Sequence, residues 1–279
     1  MSLLTGIDCA GENPLTAVVD IEPDRIRATA LGRLEDFQPL SDDHDLAIAL
    51  PDNEVIVKPI VLRDTDPGEL YDRGKFELAA GLLELETQFD FDFITTAQSE
   101  RFLGLVCRRA LVESRKQRLL PNMRPEIAST KMRAAALVAG YLAFCRPDSG
   151  ELLAVVDLGC DPISVSLIYR HRTIALGSLR NGFAYNTEPG LKHLAIELKT
   201  VLNFRLSALA EQGITTPLAK LLLCGEPATD RVIDSMAAWF PTGVGRPVFD
   251  QSRFDPPLLE DLESPATANY LVALGLTVR

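Results

Sequence analysis

A chain of 279 residues with 47 % hydrophobic content is long enough for one large bilobed domain or two ordinary ones, and too apolar to remain disordered. Its formal charge of −11 disfavours nucleic acid or an anionic lipid surface as the main partner. No apolar run approaches the roughly 20 residues that cross a bilayer, and Met1–Asp8 lacks the basic start and long apolar core of a signal peptide. The expected location is therefore cytoplasmic. The five cysteines (Cys9, Cys107, Cys145, Cys160 and Cys224) are scattered, with no CxxC spacing and no nearby histidine, and read as small buried residues in a reducing compartment.

In chain order, Leu3–Gly11 (LLTGIDCAG) is an apolar run that ends in Asp8 and turns at Gly11, and Leu15–Ile21 answers it as a second strand. Asp24–Leu34 alternates and predicts a third, half-exposed strand. The acidic stretch Pro39–Asp45 marks a boundary, with His44 a solvated loop residue. Glu54–Leu62 (EVIVKPIVL) reads as a strand that Pro59 confines to an edge or bulge. Thr65 or Asp66 caps a helix with Pro67 in its first position, and Leu70, Leu78, Leu82 and Leu85 give it an apolar stripe. Phe89–Thr95 (FDFDFIT) alternates as a strand. Its Asp90 and Asp92 form a solvated face, because no histidine or third acid stands at metal-ligand spacing. Arg101–Cys107 supplies another strand and Arg109–Leu119 a basic amphipathic helix, so residues 46–121 form a small α+β unit.

Met123–Ile127 predicts a short returning strand, and Lys131–Phe144 an alanine-rich helix suited to close packing on a sheet. Arg146–Gly150 is a turn and the expected crossing between lobes. Beyond it, Leu152–Leu158 is apolar and β-branched, as in a strand buried on both faces. Asp157 ends it, Gly159 follows in a sharp turn, and Ile163–Tyr169 and Thr173–Leu179 continue as strands. Peptide N–H groups in such a turn can hold phosphate, and a strand-end aspartate can hold a metal or water beside it; the same aspartate can equally cap a hairpin turn. Glu188–Glu211 carries the longest helical pattern, opened by Pro189 and closed by Gly213. Leu221–Leu223 and Arg231–Phe240 predict a strand entering a Gly225 turn and the helix behind it. Gly243–Asp250 is a short closing strand, Ser252–Ser264 an acidic connector, and Ala266–Leu276 a terminal helix.

Two aspartate-bearing hairpins, at Asp8 and Asp157, and a later strand–Gly225–helix resemble the two phosphate segments and the adenosine segment of the actin/Hsp70-type ATPase fold. Ala49–Leu85 and Phe102–Gln117 resemble the inserted subdomain of the PilM type IV pilus-assembly proteins and their type II secretion relatives, the GspL cytoplasmic domains. The resemblance runs in order over nearly the whole chain. It implies an α/β, bilobed actin-like fold built on ribonuclease H-like repeats. Residues 1–45 and 122–147 would form lobe I, 46–121 an α+β insert, 148–257 lobe II, and 258–279 a helix returning to lobe I.

The same resemblance implies a nucleotide site at Gly11, Asp157, Gly159, Glu197 and Gly225, with Asp8 and Asp157 as Mg²⁺ or catalytic carboxylates if ATP binds. Glu197 and Lys199 also read as an exposed helix face. Three departures oppose such a site. Glu12 stands where a hydroxyl should meet phosphate, Pro162 removes a backbone donor, and Glu226 replaces the second glycine of the adenosine turn. The expectation is thus an adaptor without nucleotide chemistry, with an active Mg–ATP-dependent ATPase as the alternative. A sugar or acyl kinase would need a polar substrate insert that is not evident. The expected partner is the cytoplasmic tail of an inner-membrane assembly protein, with no nucleic acid and no direct membrane insertion. An acidic tail is expected to dock at Arg108, Arg109 and Arg115, whose alternative reading is a solvated helix face, along a groove near Glu54–Leu62 where insert and lobe I meet.

Overall fold

The order of strands is the same in both halves of the computed structural model, which describes residues 2–9, 14–23, 25–37, 45–63, 65–66, 68–119, 128–146 and 150–278. In lobe I, β1 (Ser2–Asp8), β2 (Leu15–Glu22) and β3 (Arg25–Arg33) form an antiparallel meander. Two more strands, β4 (Asp45–Leu50) and β8 (Ala128–Met132), join parallel beyond β1, giving the order β3-β2-β1-β4-β8. Lobe II repeats the plan with β9 (Leu152–Asp157), β10 (Ile163–Tyr169), β11 (Arg172–Leu179), β12 (Leu218–Cys224) and β13 (Gly243–Gly245), in the order β11-β10-β9-β12-β13. Every residue of β9 is buried, which is why its sequence shows no alternation. This is the bilobed actin-like architecture that the two hairpins imply.

Between the two sheets lie α3 (Arg133–Phe144) and the short α6 (Leu271–Leu276), whose apolar residues share one core with both lobes. Small residues let these backbones touch. A Cβ on Gly275 would stand 1.7 Å from the Ala136 carbonyl oxygen, and one on Gly140 would stand 2.0 Å from that of Leu271. The outer face of the lobe II sheet is covered by α4 (Glu188–Glu211) and α5 (Asp230–Trp239), each capped by a threonine side chain. Among the described residues no helix is long and apolar enough to cross a membrane.

The insert is a three-stranded sheet, β5 (Val55–Val61), β6 (Phe89–Thr95) and β7 (Arg101–Arg108), in the order β5-β7-β6. Across it lies α1 (Leu70–Ala79), with Leu78 seated over Gly104, and α2 (Arg109–Leu119) follows β7. Pro59 sits on an edge strand, where its missing N–H breaks no ladder bond between β5 and its neighbour's far side.

Several expectations change. The insert begins near β5 and not at residue 46, because β4 pairs with β1 and β8 as a buried lobe I strand too short for its pattern to declare itself. Helix α1 starts at Leu70, since the Asp66 carboxylate accepts the Gly68 N–H at 2.8 Å in a local turn instead of capping the helix. Its stripe stops short of Leu85, which is 72 % exposed. The expected strand at Gly243–Asp250 shrinks to β13, and Ala266–Leu276 is a 3-10 turn (Pro265–Tyr270) that passes into α6. The expectations for His44, Pro67, Met123–Ile127 and the centre of the Arg146–Gly150 turn lie outside the described residues.

Candidate functional site

The C-terminal ends of β1, β4 and β9 converge on the N-terminus of α3, where α/β sheets gather their ligands. Arg133, the first residue of α3 and its only charged one, is 5 % exposed. Its Nε donates to Asp8 Oδ1 at 3.0 Å, and its Nη2 donates to Asp8 Oδ2 at 2.9 Å and to Asp157 Oδ2 at 2.8 Å. The remaining terminal nitrogen, Nη1, meets Ser164 Oγ at 3.4 Å and the Cys160 sulfur. One guanidinium thus bridges the strand-end carboxylates of both lobes. Burial by itself would lower the Arg133 pKa, but Asp157 and Asp8 outweigh it and hold the group charged.

Asp52, in the short turn after β4, completes the cluster. Its Oδ1 accepts the Ala134 N–H at 2.8 Å, capping α3 from outside the helix, and its Oδ2 accepts the Ser164 hydroxyl at 2.5 Å. Burial raises its pKa from 3.8 to about 6, against the lowering pull of those two bonds and of Arg133. A cation at a helix N-terminus opposes the helix dipole, and three surrounding carboxylates offset that cost.

The second hairpin closes against the later glycine turn. Asp157 Oδ1 accepts the Gly159 N–H at 2.8 Å, so this aspartate is a turn cap and an ion-pair partner at once. Gly225 has φ +88°, and a Cβ there would lie 2.3 Å from the Gly159 nitrogen and 2.4 Å from Asp157 Oδ1. No side chain fits at that crossing. Glu226, next to it, is exposed.

These residues do not fit Mg²⁺–ATP. A divalent cation at Asp8 or Asp157 would compete at close range with a guanidinium that already donates to three of their four oxygens, and the fourth accepts the Gly159 N–H. No group of three or more histidine, cysteine or acidic residues poised for a metal occurs among the described residues. A polar cavity of about 460 Å³ does open beside Asp8, Arg133 and Asp161, with Arg115 and Arg118 on its wall. The thiols of Cys9 and Cys160, which also line it, are pushed up to about 12 by burial and stay protonated.

The remaining predicted residues disperse. Glu197 is on the exposed face of α4, 3.6 Å from His193 one turn back, and does not line this cavity. Gly11 and Glu12 lie outside the described residues. Arg108, at the end of β7, is paired with Glu84, and on α2 Arg109 is paired with Asp90 at 3.1 Å and Arg115 with Glu54 at 2.5 Å, so the three arginines expected to dock a tail are matched by acids of their own chain.

A different surface faces α3. Between it and the insert lies an open cavity of about 490 Å³, floored by Met132, Ala135, Val138 and Leu142 and walled by Ile94 and Leu105. Lys131 and Arg172 stand on its rim with Asp92. This is where insert and lobe I meet across a groove. Within the expected Glu54–Leu62 stretch, Val55 lies where insert and lobe I meet, beside Leu50, Thr130 and Met132, whereas Val57, Pro59, Ile60 and Val61 line a further groove that faces lobe II.

Sequence reasoning missed Arg133, Asp52, Ser164 and Cys160. The signal for Arg133 was present: a lone arginine opening an otherwise apolar helix has nowhere to put its charge except against buried acids.

No family model matches the sequence, and no curated protein is similar to it. In fold the chain is similar to one in a PilM-PilN type IV pilus biogenesis complex, with a TM-score of 0.71 at 15 % identity over 99 % of this chain and 98 % of that one. It is also similar to a Bacteroides thetaiotaomicron protein with an actin-like ATPase fold and unknown function, with a TM-score of 0.51 at 8 % identity over 94 % and 95 %. Both likenesses are of fold.

Proposed function

We propose that the chain is a cytoplasmic actin-like adaptor of a type IV pilus or type II secretion-like assembly, and that it works by docking a short tail of a membrane partner. The observation that carries the docking is the apolar groove on α3, open to solvent between two elements whose other faces are packed. An extended segment can place apolar side chains on Met132, Ala135 and Leu142 while Lys131 and Arg172 meet a carboxylate at the rim. The chain with the similar fold was solved in a PilM-PilN complex, which supports a protein partner.

The nucleotide alternative needs the Arg133 bridge undone. In the adaptor reading that bridge is structural: it pairs with both Asp8 and Asp157 and ties the lobes together, so no step of catalysis passes through them. Calorimetry with Mg²⁺–ATP tests this directly. The expected heat is nil at millimolar nucleotide, whereas micromolar affinity would replace the adaptor with the ATPase. Co-purification with a bitopic membrane protein, lost on Ala139→Trp in the groove, is the expected positive result.

A further inference from the structure

A second groove lies on the far side of the insert, between the free edge of β5 and lobe II. It has a volume of about 280 Å³ and is floored by Ile60, Leu103, Ile174, Leu176 and Leu209, all of them buried. Its polar content is one-sided. Arg101 and Arg205 line it and no acidic residue does, in a chain whose formal charge is −11. Arg205 lies flat against β11, with Nη2 2.9 Å from where a Gly177 Cβ would stand. Among the described residues no carboxylate pairs with Arg205 or Arg101, although Arg63, next to this groove, pairs with Glu100. Burial lowers the Arg205 pKa, with nothing opposing it. A half-buried guanidinium without a counter-ion beside an apolar floor is a recognition element waiting for an anion.

We propose that this groove is a second protein-docking site, which takes a short extended segment of a partner carrying an aspartate or glutamate flanked by apolar residues. The carboxylate pairs with Arg205 and Arg101, and the apolar neighbours sit on the Ile174–Leu209 floor. Backbone bonds come from the outer edge of β5, where Pro59 withholds one donor and so limits the added strand to a short stretch. Val61, 47 % exposed on the same strand, extends the apolar lining along it. The site is independent of the α3 groove and of any reading of the nucleotide cleft.

The test pans a random heptapeptide phage library on the full chain and sorts the clones by which variant abolishes them. Ala208→Trp fills this groove, and Ala139→Trp fills the one on α3. We expect a class of clones lost on Ala208→Trp but not on Ala139→Trp, with an acidic residue between apolar ones. Synthetic peptides from that class should bind at least tenfold more weakly at 0.5 M salt than at 0.05 M. They should lose a further tenfold on Arg205→Glu, and lysine in place of the peptide's acid should restore binding to that variant. Melting temperatures check that the variants fold, and Arg205→Gln provides a second, neutral reading if the reversal does not. No clones sensitive to Ala208→Trp, or clones that ignore the charge at position 205, would overturn the proposal. So would dodecanoate binding at Arg205 without acidic clones, or a dimer of the chain that Arg205→Glu dissociates.

Discussion

The cleft between the lobes and the two grooves beside the insert differ in chemistry more than in size, at about 460, 490 and 280 Å³. The cleft is lined by acids and arginines together, and every carboxylate oxygen of Asp8, Asp52 and Asp157 at its base has a donor from within the chain. The grooves are apolar, and the cations on their rims are only partly matched. In an actin-like fold the cleft is where the ligand is expected. Here the chain supplies its own cation, and the apolar surface open to solvent is the one the insert creates. A pair of strand-end acids says where a charge is needed, not which charge fills it.

The largest expected effect comes from unsealing the cleft. Arg133→Met leaves two carboxylates buried without a counter-ion and should cost about 3–5 kcal/mol in urea unfolding. Adding Asp8→Asn and Asp157→Asn to it should recover most of that loss. If the triple variant is no better than the single one, the bridge is not what couples the lobes. Gly225→Ala comes next. It combines a strained φ with a Cβ driven into the Gly159 backbone, together about 2–4 kcal/mol.

Asp52 gives a smaller effect with a pH signature. The folded chain holds its proton up to about pH 6, while an unfolded aspartate releases it near 3.8. Between those values the folded state binds more protons, so stability falls as pH rises through that window. Asp52→Asn keeps an acceptor for the Ala134 N–H and has no proton to lose. Relative to the wild type it should therefore gain up to ~3 kcal/mol between pH 4 and pH 7. An unchanged difference across that range would mean that Asp52 is ionised throughout.

Much of this was legible in the sequence. The two hairpins, the α4 helix with its proline and glycine punctuation, and the edge placement of Pro59 follow from local rules that the tertiary structure leaves intact. So does the placing of Asp8 and Asp157 together, because both end the first strand of a repeated sheet. What could not be read is pairing at a distance. Arg133 and Asp8 are 125 residues apart in the chain, and Ser164 and Asp52 are 112 apart. β4 was overlooked because five buried residues in a row, Leu46–Leu50, show no period. The basic face of α2 misled for a related reason: its acids, Glu54, Glu84 and Asp90, come from other elements of the insert.

The smallest effect on stability, and the sharpest separation of surfaces, comes from that face. Arg109 and Asp90 form an exposed pair, with side chains 56 % and 46 % accessible, so solvent screens them and Arg109→Glu should change stability by less than about 1 kcal/mol. Arg115 is less exposed and holds Glu54 through two nitrogens, so reversing it would set two carboxylates against each other and confuse folding with binding. Arg109→Glu alone is therefore the clean probe of whether a partner reads the α2 charge. If the tail lies in the α3 groove, Arg109→Glu leaves partner recovery unchanged and Ala139→Trp removes it, at equal melting temperatures. The reverse pattern would move the dock to α2, with Asp90 as the acid that a partner's carboxylate must displace.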